Sequence, residues 1–219
     1  MKNNASPALI FDFDGTIADT LDVLIDLYNE RLVREFRCKS FDKSQKEAFR
    51  QIPATEFLRS YGIRYYKLPF MAVRTRFLLK RYVEHIPPFP GMLEWIRQVA
   101  KQGVCLGIAT SNSVKNVQRF LQKNQLTDSF QCIYGGRNLF GKHRTLQQLI
   151  REQRLSPENT IYIGDEVRDI EAARRVGFRV AAVGWGFQHL SLLQQHQPDF
   201  LIEKVEDLEQ LIGGGIGHS

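Results

Sequence analysis

The 219-residue sequence predicts an α/β protein with a doubly wound parallel sheet and an inserted all-helical segment. From residue 90 onward, short apolar runs alternate with helical patterns, as expected for parallel strands joined by helices on both faces of one sheet. The first apolar run stands apart, because the next one begins only at residue 104. We therefore expect a Rossmann-like core that is interrupted after its first strand.

Six short apolar runs are the predicted strands. Most of them end close to Asp, Thr or Gly, which is typical of buried strands that end in loops. The runs lie at residues 8–13, 104–109, 130–134, 160–163, 179–183 and 200–202.

Four core helices are predicted between these strands, because apolar residues recur there at helical spacing. They lie within residues 92–100, 114–121, 146–150 and 167–176. Two of these stretches stop at Gly103 and Gly177, and glycine is a common residue just past a helix end.

Residues 18–88 form the predicted insertion, which we call the cap. Helical apolar spacing is present near Leu21 and again from Phe70 to Leu78, and Pro87 and Pro88 mark its end. The predicted domains are therefore a core of residues 1–17 and 89–212, a helical cap of residues 18–88 and a flexible tail of residues 213–219.

The composition is that of a folded protein, with 43% hydrophobic and 11% aromatic residues. There are 30 Lys and Arg against 24 Asp and Glu, which gives a net charge of +6. Such a charge fits nucleic acid, an acidic membrane surface or anionic metabolites, and by itself it does not choose among them. It says nothing about oligomeric state.

The three cysteines, Cys38, Cys105 and Cys132, form no C-x-x-C pair, so neither a disulfide framework nor a zinc site is predicted. No apolar run approaches the ~18 residues that a membrane span requires. The run before Asp12 is too short for the core of a signal peptide. We expect a soluble, cytoplasmic protein with no membrane partner.

The first strand leads into two aspartates, Asp12 and Asp14, followed by Gly15 and Thr16. Residues two apart on an extended strand project to the same side, and buried carboxylates without partners are costly. Such a pair needs a cation or protons. Taken alone, Asp-Gly-Thr fits a simple turn with a helix cap equally well.

The fourth strand ends at Gly164 and is followed by Asp165, Glu166 and Asp169. Alone, these acids fit the start of a helix, where they cap the chain and favour its dipole. The carboxyl ends of parallel strands share one edge of a sheet, however, so these acids are expected beside Asp12. The combined set predicts oxygen ligands for a hard cation, and Mg²⁺ is the usual one where phosphate is handled.

Two further features point to an anion at the same edge. Thr110, Ser111 and Asn112 follow the second strand just before a helix, where hydroxyls and backbone N–H groups bind anions or simply cap the helix. Lys142 begins a later helix, where a cation opposes the helix dipole. It is either a solvated surface lysine or a positive charge that the site requires.

In this order, the motifs resemble the haloacid dehalogenase superfamily, in the phosphatase branch that carries a helical cap after the first strand. The resemblance rests on D-x-D-G-T at 12–16, the strand ending at Thr110, Lys142, and G-D-x-x-x-D at 164–169. It covers the chain apart from the tail. Residues 161–177, together with Gly-Trp-Gly at 184–186, look most like the phosphoglycolate-phosphatase-like members.

The resemblance implies a Mg²⁺-dependent phosphatase that hydrolyses a small phosphate monoester through an aspartyl-phosphate intermediate. It implies that Asp12 is the nucleophile and Asp14 the general acid and base. It also implies that Mg²⁺ is held by the Asp12 carboxylate, the Asp14 backbone carbonyl and Asp165.

The remaining motif residues receive supporting roles from the same resemblance. Thr110 and Lys142 would contact the phosphoryl group, and Ser111 and Asn112 would complete the substrate-binding loop. Asp169 would orient Lys142 or a metal-bound water, and Glu166 would assist it.

Alternatives to a phosphatase remain at this stage. Asp14 disfavours a dehalogenase or a phosphonate hydrolase, whereas a sugar phosphomutase would use the same four motifs. A non-catalytic or nucleic-acid-directed phosphate-binding protein is supported only by the net positive charge. His143 follows Lys142 where many family members have proline, a difference that the chemistry tolerates.

The positive charge is concentrated in the cap, where residues 31–81 contain 14 Lys and Arg against 4 Asp and Glu. We therefore expect a cationic cap above the carboxylates that draws in a small anionic phosphorylated metabolite, and nucleic acid is disfavoured as a partner. Arg50, Arg59 and Arg64 are the candidate cap contacts to substrate, with solvated surface charge as the alternative interpretation.

Overall fold

The computed structural model describes residues 7–135 and 141–213. Its core is one parallel six-stranded sheet with the strand order β3-β2-β1-β4-β5-β6. The strands are β1 (Ala8–Phe11), β2 (Leu106–Thr110), β3 (Cys132–Gly135), β4 (Thr160–Gly164), β5 (Arg179–Val183) and β6 (Phe200–Ile202). The predicted doubly wound parallel sheet is confirmed, because this order is that of the Rossmann fold.

Helices cover both faces of the sheet. The core helices are α6 (Met92–Lys101), α7 (Val114–Lys123), α8 (Lys142–Gln153), α9 (Val167–Arg174) and α10 (Leu190–Gln194). Short 3₁₀ segments lie at Thr127–Ser129, Pro157–Asn159 and Val205–Leu211.

Alternate residues of the central strand β1 enter different hydrophobic clusters. Leu9 and Phe11 belong to the cluster that contains Ile96 of α6 and Phe120 of α7. Ile10 belongs to the other cluster, with residues of α8, α9 and α10. This alternation follows from the two-residue period of a strand, and it fixes which helices lie on each face.

The first strand is shorter than predicted, because it ends at Phe11 and not at residue 13. Asp12 still donates its N–H to the carbonyl of Ile163, but the chain then turns, and the N–H groups of Ile17 and Ala18 both donate to Phe13. The strand therefore does not extend to Asp14 as expected, although the charge of Asp12 still acts on Asp14.

The insertion between β1 and α6 is helical. Its elements are α1 (Leu21–Leu27), a π-helical segment (Tyr28–Leu32), α2 (Val33–Phe36), α3 (Lys46–Arg50), α4 (Ala54–Ser60) and α5 (Leu68–Leu79), with 3₁₀ segments at Lys43–Gln45 and Tyr65–Lys67. Ring contacts pack α3 against α4, since the centroids of Phe49 and Phe57 lie 4.7 Å apart. The ring of Tyr61, at the end of α4, lies 4.5 Å from that of Phe57.

Apolar spacing predicts the helix α5 but not the face that it buries. Leu68, Met71, Leu78 and Leu79 of this helix are buried. The opposite side exposes Phe70, Val73 and Phe77. Both faces are apolar, so periodicity alone does not distinguish the inner one.

The two segments that connect cap and core lie side by side. Asp19 donates its N–H to the carbonyl of Pro87, at 2.9 Å, and Phe89 donates its N–H to the carbonyl of Ile17, at 3.2 Å.

Of the predicted tail, residues 214–219 lie outside the described residues. Among the helices that the structure describes, none combines the length and the apolar character needed to cross a membrane.

The side chain of Tyr162 forms a hydrogen bond that links β4 to β2, and its contribution to stability can be tested. Its side chain is buried, and its hydroxyl donates to the carbonyl of Ala109 on β2 at 2.9 Å. Tyr162→Phe removes this bond, so we expect the free energy of unfolding to fall by about 1–2 kcal/mol in urea titrations, with an unchanged m value.

Tyr134→Phe is the matched control for Tyr162→Phe, because the Tyr134 hydroxyl bonds Glu152 at the surface. Its free energy of unfolding should stay within about 0.5 kcal/mol of the wild-type value. Equal losses in the two variants would contradict the role given to the buried bond.

Candidate active site

The predicted site residues meet at the carboxyl edge of the sheet, where β1 lies between β2 and β4. Asp12 follows β1, Thr110 ends β2, Asp165 follows β4, and Lys142 begins α8. This is the switch point of the sheet, where connections leave toward opposite faces and where ligands of such folds bind.

Asp12 is buried and both of its carboxylate oxygens are bonded. Oδ1 accepts the N–H of Phe13 at 2.7 Å, and Oδ2 accepts Nζ of Lys142 at 2.5 Å. Burial raises the pKa of Asp12 above its usual value, and the charge of Lys142 opposes that rise. The lysine therefore favours the ionised carboxylate.

Lys142 is a buried residue and not a solvated surface lysine. Its Nζ also bonds Oδ1 of Asp169, and it lies 5.4 Å from the centre of the Tyr162 ring. Burial alone would lower the pKa of Lys142, but Asp12 and Asp169 hold that pKa well above its usual value. These two carboxylates explain a cation at the start of a helix.

Asp169 is held in place by three donors. Besides Lys142, the N–H groups of Asp165 and Glu166 donate to its Oδ2, each at 3.1 Å. The side chain thus reaches back over the start of α9. The Asp169 carboxylate therefore connects Lys142 to the backbone that follows β4.

Asp165 is fully buried, and its carboxylate accepts two hydrogen bonds. Thr16 Oγ1 donates to Oδ1 at 2.8 Å, and the N–H of Phe187 donates to Oδ2 at 2.7 Å. Burial, followed by the charges of Glu166 and Asp169, raises the pKa of Asp165 well above its usual value.

Two glycines make room for the Asp165 carboxylate. A Cβ atom on Gly15 or on Gly186 would overlap Asp165 Oδ2, and Gly15 has a φ of +80° that L side chains rarely adopt. Glycine at both positions allows two backbone segments to approach the carboxylate closely. The Phe187 N–H was not singled out from the sequence, although the neighbouring Gly-Trp-Gly was.

Asp14 is partly exposed and is bound by Asn112, whose Nδ2 lies 3.2 and 3.0 Å from its two oxygens. Burial, followed by the charge of Asp12, raises the pKa of Asp14 to about 7. Asn112 was expected among the substrate contacts, and in this structure its amide positions Asp14.

Asn116 orients Asn112 in turn, by donating Nδ2 to Asn112 Oδ1 at 3.0 Å. The sequence analysis missed this residue. A polar residue in the first turn of α7 could have suggested it.

Within the loop after β2, Ser113 caps α7, since its Oγ accepts the N–H of Asn116 at 3.2 Å. Thr110, Ser111 and Asn112 are not needed for that role. Thr110 is buried, and its Oγ1 accepts the N–H of Asn112 at 3.0 Å, while Ser111 is half-buried. The site thus brings Thr110 and Ser111 to the same edge as Asp14.

The donor set fits a divalent cation. Asp12, Asp165 and Asp169 each offer a buried carboxylate oxygen, and these three oxygens lie within 4.8 Å of one another. Asp14 and Glu166 add two more carboxylates at this edge. The opposing cations are Lys142 and Arg168, which bonds Glu166 and whose charge acts on Asp12. The excess negative charge and the oxygen-only ligands are those of a Mg²⁺ or Ca²⁺ site.

A cap residue that the sequence analysis missed, Arg76, lies near the site. Its backbone carbonyl accepts Nδ2 of Asn116 at 3.3 Å. Burial lowers the pKa of the Arg76 guanidinium, and the charge of Asp14 opposes that shift. The charge of Asp14 thus acts on the guanidinium of a cap arginine.

Of the three cap arginines singled out in the sequence, Arg59 and Arg64 are exposed and line an open cleft with Lys39 and Tyr65. The site residues described above do not line that cleft. Arg50 instead donates to backbone carbonyls of the core.

Comparison with known proteins supports the expected family. A sequence model of haloacid dehalogenase-like hydrolases matches residues 9–183. The phosphoglycolate phosphatase of Synechococcus elongatus is 33% identical over 205 residues, covering 94% of this chain and 96% of that protein. The pyrophosphatase PpaX of Listeria innocua is 28% identical over 218 residues, covering 93% and 95%.

A solved structure supports the fold. A haloacid dehalogenase-like hydrolase from Streptococcus pneumoniae superposes with a TM-score of 0.76 at 23% identity, covering 93% of this chain and 97% of that one. The family match spans most of the chain, and the first relative exceeds 30% identity over nearly all of it. The chain therefore belongs to the haloacid dehalogenase-like hydrolase family and is one of its phosphatases.

Proposed function

We propose that this protein is a Mg²⁺-dependent phosphatase that hydrolyses a small phosphate monoester through an aspartyl-phosphate intermediate. The observation that carries the proposal is the pairing of Asp12 with Lys142 at 2.5 Å beside a second, partly exposed carboxyl, Asp14. An ionised nucleophile and a separate proton carrier are the two parts that such a reaction requires.

Asp12 attacks in the first step. One of its carboxylate oxygens forms a bond to phosphorus while the bond from phosphorus to the ester oxygen breaks. Asp14 gives its proton to the departing oxygen, so the alcohol leaves neutral. The raised pKa of Asp14 supports this role, since a carboxyl with a pKa of about 7 is still partly protonated near neutral pH.

The second step releases phosphate. Asp14, now ionised, takes a proton from water, and the water oxygen bonds to phosphorus as the bond to Asp12 breaks. Asn112 keeps Asp14 in place throughout, because its amide donates to both carboxylate oxygens.

The phosphoryl oxygens are bound by Lys142, Thr110 and Ser111. Lys142 supplies positive charge, and its contacts with Asp12 and Asp169 fix its position beside the reacting atoms. A fixed cation that is already in place stabilises charge in the transition state at little reorganisation cost.

Mg²⁺ would be held by the carboxylates of Asp12 and Asp165 and by the backbone carbonyl of Asp14. When bound, it lets an anionic nucleophile approach an anionic phosphoryl group and stabilises the transition state. Asp169 is assigned to positioning, because its oxygens are bonded by Lys142 and two backbone N–H groups. Glu166 pairs with Arg168 at 2.7 Å and would assist from the same layer.

The substrate class we propose is a small phosphate ester with a second anionic group. Two relatives are named for phosphoglycolate and pyrophosphate, both of which carry a further negative charge beside the phosphoryl group. Arg76 of the cap lies where it acts on Asp14, so it could bind that second group. The basic cap would draw such anions toward the site.

The cytoplasm is the proposed compartment. Cys38, Cys105 and Cys132 are free thiols in the structure, which suits a reducing environment.

Asp12→Asn tests the nucleophile. We expect the Mg²⁺-dependent hydrolysis of p-nitrophenyl phosphate to fall by at least about 10³-fold, because the amide cannot attack phosphorus. Purified protein is assayed for nitrophenol release, and circular dichroism checks that the variant is folded. Persistent turnover in this variant would refute the mechanism.

Chelation and a ligand change test the metal. EDTA should abolish turnover and added Mg²⁺ should restore it. Asp165→Asn should raise the Mg²⁺ concentration for half-maximal activity by at least about tenfold. Glu171→Gln removes an exposed carboxylate of the same helix region and serves as the control. Full activity in EDTA would exclude the proposed metal.

Arg76→Met tests the substrate class. Loss of one charged hydrogen bond to a second anionic group should lower kcat/KM for 2-phosphoglycolate by about 10- to 100-fold. Turnover of p-nitrophenyl phosphate, whose leaving group has no second anion, should lose only the smaller effect of the Arg76 charge on Asp14 and so fall by much less than turnover of 2-phosphoglycolate. Arg59→Met is the matched control, and equal losses on both esters would contradict the assignment.

A further inference from the structure

One peptide group joins the cap to the Asp165 carboxylate. The carbonyl of Gly186 accepts Nε of Arg50 at 2.9 Å. The N–H of the same peptide group, which belongs to Phe187, donates to Asp165 Oδ2 at 2.7 Å. The cap arginine and the proposed metal ligand therefore bind opposite ends of a single rigid plane.

Arg50 forms further hydrogen bonds with the chain on both sides of this peptide group. Its Nη2 donates to the carbonyl of Gly184 at 2.7 Å, and its own carbonyl accepts the N–H of His189 at 2.7 Å. Glu47 holds the remaining side of the guanidinium, with Nη1 to Oε2 at 3.1 Å. The planar fork of arginine suits two carbonyls spaced in this way, whereas lysine offers a single point of contact.

Residues 184–189, which we call the bridge, are also fixed on the core side. Trp185 Nε1 donates to the carbonyl of Thr16 at 3.0 Å, and the N–H of Gln188 donates to the carbonyl of Asp165 at 3.3 Å. Gly186 lies so close to Gly15 and Asp165 that a Cβ atom would overlap both. The bridge thus has little room to move without moving Asp165.

We propose that Arg50 is a positioning residue that couples the seating of the cap to the orientation of Asp165, and thereby to the affinity of the site for its divalent cation. This inference rests on the metal site of the proposed function. A positive charge on the Gly186 carbonyl polarises the peptide, which strengthens the Phe187 N–H as a donor to Asp165. Mutation of the groups that orient a metal ligand typically weakens metal binding by about 10- to 100-fold.

The coupling acts in both directions. If a seated cap tightens cation binding, then a bound cation favours the seated cap by the same factor. The cap and the metal site would then be completed together.

The test is the binding of Mg²⁺ alone to the full chain, measured by isothermal titration calorimetry without substrate. We expect Arg50→Gln to weaken Mg²⁺ binding by about tenfold or more and Arg50→Lys to restore part of the loss. Arg59→Gln is the matched control, because it removes the same charge from an exposed cap position. Its Mg²⁺ affinity should equal that of the wild type.

The outcomes separate this inference from the proposed function. Unchanged Mg²⁺ affinity in Arg50→Gln would overturn the coupling even if turnover fell, since a merely structural or substrate-binding arginine would behave in that way. Equal weakening in Arg59→Gln would also overturn it, because general charge would then be the cause. A wild-type chain that binds no Mg²⁺ would refute the metal site itself.

Discussion

The site depends on one buried lysine between two buried carboxylates. Removing Lys142 would leave Asp12 and Asp169 as uncompensated charges at the centre of the sheet edge, a loss that typically costs several kcal/mol. Each partner comes from a different element: Asp12 follows β1, Lys142 begins α8 and Asp169 lies in α9. The order of the strands around β1 therefore has to be correct before these charges can neutralise one another.

Close backbone approach is the second constraint on the site. The turn at Gly15 and the bridge at Gly186 both lie in close contact with Asp165. A side chain at either glycine would displace the Asp165 carboxylate. Such packing replaces water around a buried acid by fixed donors, namely Thr16 Oγ1 and the Phe187 N–H. A preorganised carboxylate can bind a cation with less reorganisation than a flexible one.

The fold and much of the candidate site were predictable from the sequence, for a physical reason. Strand ends that carry acids must meet at one edge of a parallel sheet, so Asp12 and Asp165 could be placed together without coordinates. Arg76 and the Phe187 N–H could not be placed. A backbone donor carries no residue signature, and the contact of a cap helix with the core depends on long-range packing. The outward direction of Phe70 escaped prediction because α5 is apolar on both faces.

The arginine side chains of the cap differ in how their charges affect the site. Arg74 is paired with Glu35 at 2.7 Å on the surface, where such a pair contributes little. Arg50 is bound by the carbonyls of the bridge and is paired with Glu47, so the carboxylate of Glu47 offsets its charge. Arg76 lies near Asp14, where its charge bears on the site. Net charge can thus account for the attraction of a phosphate ester, but the choice among esters depends on where these few guanidinium groups are held.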